Sequence, residues 1–128
     1  MSRVTKPAAF CLPHLYTDAS GASHFRTREF ALALRDFAPP APPLNVSDDQ
    51  PATRFVMIRL QPGWVGRPHV SPRPQILFCL SGSLKVTCST GEAVVLEAGT
   101  GLVMSDVSGE GHVSEVISVE PVTGIIIQ

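Results

Sequence analysis

The chain has 128 residues, 44% of them apolar, and a formal net charge of −1 with no block of like charge, which suits one globular domain with its own core. A nucleic-acid partner needs a basic stripe that displaces counterions, and none is present. A membrane span needs about 20 consecutive apolar residues, and no stretch approaches that length.

The opening, MSRVTKPAAFCLPHLY, carries two early cations but no uninterrupted apolar run, so no signal peptide is expected and the cytoplasm is the expected location. Cys11, Cys79 and Cys88 are odd in number and widely separated, which fits neither a disulfide framework nor a zinc site. Cys79, inside ILFCL, reads as a small buried hydrophobe.

Twelve prolines and ten glycines leave segments too short for a helical bundle. HLYTDASGASHF reads as two strands around a turn at Asp18–Gly21. In REFALALRDFA the residues Phe30, Leu34 and Phe37 have helical spacing, whereas Phe30, Leu32 and Leu34 alternate, and the strand reading is preferred. Residues 39–51, PPAPPLNVSDDQP, form an extended arm laid across the outside of the domain, because the prolines forbid helix and central strand alike. Candidate strands follow at Phe55–Leu60, Ile76–Leu80, Ser83–Ser89, Ala93–Glu97, Gly101–Met104, His112–Glu120 and Val122–Ile127. Turn signals separate them, among them Gln61-Pro62-Gly63, Ser81-Gly82, Thr90-Gly91, Ala98-Gly99 and Ser108–Gly111. Short strands at this spacing predict an all-β sandwich or barrel.

Across residues 63–106 two spacing patterns occur. Gly63 is followed after five residues by His69, then Ser71, Gln75 and Gly82; Gly91 is followed after five residues by Glu97, then Gly99, Leu102 and Asp106. The first resembles the cupin signature G-x5-H-x-H-x3/4-E-x6-G in its spacing throughout, and the second resembles G-x5-P-x-G-x2-H-x3-N in part. The resemblance implies a cupin-type double-stranded β-helix, that is, a jelly-roll barrel. Residues 1–51 would supply an N-terminal strand pair and the proline-rich arm, and 52–128 the barrel core, all in a single domain.

Metal-dependent cupins bind their ion with three histidines and a carboxylate. At those positions this chain has His69, Ser71, Gln75 and Leu102, so the resemblance carries over the fold without the usual ion. Two readings of a cofactor stay open: none, or one divalent ion held by a rearranged set of His69, Gln75 and His112, joined by Asp106. For the second, His112 would have to enter the barrel from a strand paired with the one that carries Leu102.

Proton transfer asks less of the sequence, since histidine titrates near neutrality without an ion. Some cupin-like sugar epimerases use a His–Asp pair and no metal, an analogy at the level of fold. On that reading His69 is the acid or base, His112 or Asp106 orients it, and Gln75 donates a hydrogen bond to a developing oxyanion. Arg67 and Arg73 flank His69 and are placed to clamp a carboxylate, although arginines on a proline-rich rim are commonly just solvated. Ser71, Trp64 and His24 complete the candidate ligand-binding set. The bland reading of Trp64 is ordinary core packing, and that of His24 a surface or capping histidine.

Phe55, Met57, Leu77, Cys79, Leu84, Val86 and Met104 form either a pocket wall or ordinary core. Two function classes remain: an isomerase or lyase acting on a small carbonyl or carboxylate compound, and a small-molecule-binding or dimerisation module without chemistry. An open interior containing His69 and His112 favours the first; a filled interior favours the second. In both cases a homodimer is expected, because sandwich edges and an apolar IIIQ end call for a partner strand.

Overall fold

The computed structural model describes residues 9–128. Residues 1–8, which begin the stretch read above against a signal peptide, lie outside the described residues. Among the described residues every regular element is a strand: β1 (Ala9–Thr17), β2 (Ser23–Arg35), β3 (Leu44–Ser47), β4 (Phe55–Leu60), β5 (Gln75–Ser81), β6 (Leu84–Cys88), β7 (Ala93–Leu96), β8 (Gly101–Met104), β9 (His112–Val116) and β10 (Val122–Ile127). The all-β expectation therefore holds, and no helix among these residues is long and apolar enough to cross a membrane.

The strands form a seven-stranded sheet in the order β3-β2-β1-β8-β5-β10-β4 and a three-stranded sheet in the order β7-β6-β9. They do not close into one barrel. The pairing explains why. β8 is hydrogen-bonded on one side to β5 and on the other, in parallel, to β1, so it has no free edge for β9. His112 and the rest of β9 pair with β6 instead, which corrects the expected pairing with the strand that carries Leu102.

Alternation decides what fills the space between the sheets. Leu77 and Cys79 of β5, Leu84, Val86 and Cys88 of β6, Val116 of β9 and Val122 of β10 point inward. Leu15, Leu96, Leu102 and Met104 complete one buried cluster. Cys79 is an inert member of it, and burial pushes its thiol pKa up. Leu102 is fully buried here, so the position aligned with a cupin histidine is a core position. Phe55 and Met57, by contrast, are 66% and 59% exposed. They pair across from Ile127 and Ile125 and lie on the outer face, while Ile58 and Leu60 of the same strand pack on the core.

The N-terminal hairpin is a full member of the large sheet. β1 and β2 pair from Ala9↔Ala31 to Thr17↔Ser23, so the ambiguous REFALALRDFA segment is strand to Arg35. Within the expected arm, residues 44–47 leave the extended coil and pair with β2 as an edge strand, the one place in a sheet where neighbouring prolines do little harm. The IIIQ end is flanked on both sides, since β10 pairs with β4 and with β5. Its partner strands thus come from its own chain.

His14 anchors the hairpin to the segment after β8. Arg26 Nε donates to His14 Nδ1 at 3.2 Å, and the Nε2 lies 2.7 Å from Ser105 Oγ. An arginine only donates, so Nδ1 is the bare nitrogen and Nε2–H donates to the serine. Burial first, then the charges of Arg26 and Arg28, hold His14 below the ordinary histidine value of 6.5. The unfolded chain thus binds a proton that the folded chain resists, and stability falls as pH drops below about 6.5 through the folded value. Thermal melts of the wild type and of His14→Gln between pH 7.5 and 5 check this. The wild-type Tm should decline more steeply with acidity, and the variant's curve should be flatter.

Candidate functional site

Residues 64–71 run beside β9 as an interrupted fourth strand of the small sheet. Gly66 N–H donates to Ser114 O, Val116 N–H to Trp64 O, and His69 and His112 exchange both backbone bonds, at 3.1 and 2.9 Å. Pro68 falls between the donating residues Gly66 and His69, and Pro72 follows the last donor, Ser71, so their missing N–H groups cost no ladder bond.

The bridge places two imidazoles side by side, with ring centroids 4.6 Å apart and planes inclined at 56°. Behind them lies Asp106, fully buried. One carboxylate oxygen accepts from Ser71 Oγ at 2.8 Å and the other from His112 Nδ1 at 2.5 Å. Ser71 N–H also donates to Asp106 O at 3.0 Å. His69 Nδ1 donates to Arg67 O at 2.7 Å. In the neutral form of either ring the Nδ1 proton is therefore committed, and Nε2 carries the free lone pair.

Neither Nε2 has a hydrogen-bond partner among the described residues, yet no buried side-chain nitrogen or oxygen among them is left unpaired. The His112 Nε2 thus keeps a small solvent contact, although the residue is only 3% exposed. His69 itself is exposed. Trp64 borders the pair: a Cβ on Gly66 would lie 2.8 Å from Trp64 Cη2 and 3.6 Å from His69 Cε1. Glycine at 66 leaves room for the indole where a side chain would collide with it, on the side of the backbone that His69 also faces.

Five of the expected site residues, His69, His112, Ser71, Asp106 and Trp64, thus stand together. Gln75 does not join them. Its Oε1 accepts from Gln128 Nε2 at 2.8 Å, and its Nε2 donates to Met104 Sδ at 3.4 Å. His24 sits at the hairpin turn, 2.5 Å from Asp18 and stacked on Tyr16. The Ser20 hydroxyl, then His24, holds the Asp18 carboxyl well below the usual carboxylate range, so the capping reading of His24 describes it. Arg67 and Arg73 are exposed, and neither guanidinium makes a hydrogen bond to the described residues.

Sequence reasoning missed the supports of the 105–111 loop. Ser23 Oγ donates to Gly111 O at 2.6 Å, Thr17 Oγ1 to Ser108 O at 3.0 Å, and Glu110 N–H to Gly21 O at 2.8 Å. The only prior signal was the dense Ser/Gly composition on both sides, SDVSGEGH and DASGAS.

A metal ion at this place would need about three firm protein ligands. Two Nε2 atoms with their Nδ1–H groups held by a carboxylate and a carbonyl suit ligation, but Gln75 is engaged elsewhere and Leu102 is core. Among the described residues no group of three or more His, Cys, Asp or Glu side chains is placed to hold an ion. The expected set of His69, Gln75 and His112 is not assembled, and a site with three protein ligands does not fit.

No protein-family model matches the chain, and no curated protein matches it. Among solved structures the chain is similar to a conserved protein of unknown function from Streptococcus pyogenes. The two are 20% identical, with a TM-score of 0.47, over 63% of this chain and 67% of that one.

Gly111 joins loop and bridge. Its φ is +71°, and a Cβ there would sit 2.2 Å from His69 O. Gly111→Ala must therefore strain the backbone and push His69 away from His112, at a cost of about 2 kcal/mol or more. Urea denaturation of the variant should show a lowered midpoint, and the histidine ring NMR signals should shift at both positions.

Proposed function

We propose that the chain is a small-molecule-binding protein of the cupin type, and that His69 and His112 form a proton-transfer pair at its rim. The observation that carries this reading is the buried Ser71–Asp106–His112 relay. It fixes one imidazole by its Nδ1 and leaves a bare Nε2 beside the exposed His69. A histidine bound to a carboxylate through Nδ1 is held in one orientation and one tautomer, which a general base requires. His69 is the member that reaches solvent, so it contacts substrate, and His112 backs it from inside. Ser71 donates to the carboxylate and is thereby a positioning residue, not a nucleophile.

The substrate class follows from the surroundings. Trp64 offers an apolar face next to the pair, and the Arg67 guanidinium follows in the same segment. A small, partly apolar carbonyl or carboxylate compound suits that mixture, and an isomerisation or lyase step begins with removal of a proton next to its carbonyl. The cupin reading is supported by the glycine–histidine spacing and by the hairpin that precedes the core strands. The two open sheets depart from a closed jelly roll.

A second reading is favoured by one observation: the space between the sheets is filled by Leu15, Leu96, Leu102 and their neighbours. A filled interior suits a binding or self-associating module without chemistry, with the relay serving only to hold the 105–111 loop. The homodimer and the cytoplasmic location belong with both readings.

Deuterium exchange separates the two. Small 2-oxo acids incubated in D2O with the protein and followed by NMR should lose the proton adjacent to the carbonyl faster than in buffer. His69→Ala should slow that exchange by about 100-fold or more, the usual share of a positioned acid–base group. Asp106→Asn should slow it as well, because an amide can hold either His112 tautomer. Saturable binding with no exchange would decide for the module.

A further inference from the structure

A groove of about 610 Å³ opens on the outer face of the seven-stranded sheet, away from the core. Leu12 and Val103 are 4% and 6% exposed, yet neither belongs to the cluster between the sheets; they are its floor. Phe10, Phe30, Ile76 and Phe78 rise around them, and residues 50–52, coming off β3, form part of the rim. Register explains the assembly: Phe10↔Phe30, Leu12↔Arg28 and Ile76↔Val103 are cross-strand pairs on one face. This face should carry polar residues if it faced only water. Its volume and apolar lining are those of a site for a small organic ligand.

Charge says which kind. Arg28 is the one charged side chain among the described lining residues, and no Asp or Glu is among them. Its guanidinium lies 5.0 Å from the Phe30 ring centre and takes part in no ion pair among the described residues. The same face of β2 and β4 adds Arg26 and Arg59 and no acid. A second copy docked face to face would set these cations against one another with nothing on the face to neutralise them, which disfavours that occupant.

We propose that this groove binds one amphipathic monocarboxylate, its acyl or aryl-alkyl chain lying on Phe10, Phe30, Ile76 and Phe78 and its carboxylate paired with Arg28. A single unpaired arginine at an apolar trough gives both halves of such a molecule a partner. The site does not involve the histidine pair.

Isothermal titration of the full chain with dodecanoate, kept below its micellar concentration, tests this. One molecule should bind per chain, saturably. Arg28→Gln should weaken binding about tenfold or more, as expected for loss of a charge-assisted contact, and dodecyltrimethylammonium should bind at least as weakly as dodecanoate does to that variant. Phe30→Asp should abolish binding; if that variant fails to fold, Arg28→Gln carries the test. His69→Ala should leave binding unchanged, so that failure here and failure of proton transfer are told apart. The proposal falls if dodecanoate does not saturate, or if Arg28→Gln binds it as the wild type does. It also falls if sedimentation shows a dimer that excludes dodecanoate and that Phe30→Asp dissociates, which would assign the face to a second copy.

Discussion

A carboxylate with no solvent exposure is the constraint around which one end of this protein is arranged. Burying Asp106 is tolerable only if both of its oxygens are bonded, and the partners come from distant parts of the chain: Ser71 ahead of β5 and His112 at the start of β9. Losing either leaves one buried carboxylate oxygen without a partner, a penalty of about 1–3 kcal/mol or more. The 105–111 loop therefore has little freedom, and Gly111, packed on the carbonyl of His69, passes that rigidity to the exposed imidazole. His14 reinforces it from the other side through Ser105, the residue before Asp106.

Much of this was legible because strands advertise themselves by period and punctuation. Phe55–Leu60, Gly101–Met104 and Val122–Ile127 can be bounded by Gly and Pro signals alone, and the structure places strands over the same residues. His69 stood out as one histidine among prolines. What spacing cannot convey is which strand neighbours which. β9 pairing with β6, and β1 slipping in beside β8, join residues more than 20 positions apart, and these long-range choices decide that His112 meets His69 and that Gln75 does not. The same ignorance left Phe55 and Met57 as either pocket wall or core, when they lie on the exposed outer face. Their alternation with Ile58 and Leu60 is plain in the sequence, but the face that each set occupies follows only from the partner strands.

The large sheet is apolar on both faces, and this is the deeper reason why apolar counting misled. Leu77 and Cys79 point to the core, Ile76 and Phe78 to the groove, from one continuous ILFCL run. Such a run is the mark of a strand covered on both sides. In β8 all four residues are buried, as suits a strand with neighbours at both edges and cover on both faces.

Where binding can occur is then a matter of exclusion. Leu15, Leu96 and Leu102 close the middle of the sandwich, the space that a barrel fold would offer to a ligand. What stays accessible is the rim, where irregular backbone holds His69 next to Trp64, and the outer face, where Arg28 stands alone among aromatic and aliphatic side chains. The two places differ in kind. The rim has titratable groups held by a buried carboxylate and one aromatic face, that of Trp64, which suits brief contact with a small, partly apolar molecule. The groove has apolar area and one fixed charge but no proton carrier, which suits retention. On the functions proposed above, proton transfer and ligand retention, joined in one cavity in a hollow barrel, would be kept apart by the side chains that fill the space between the sheets.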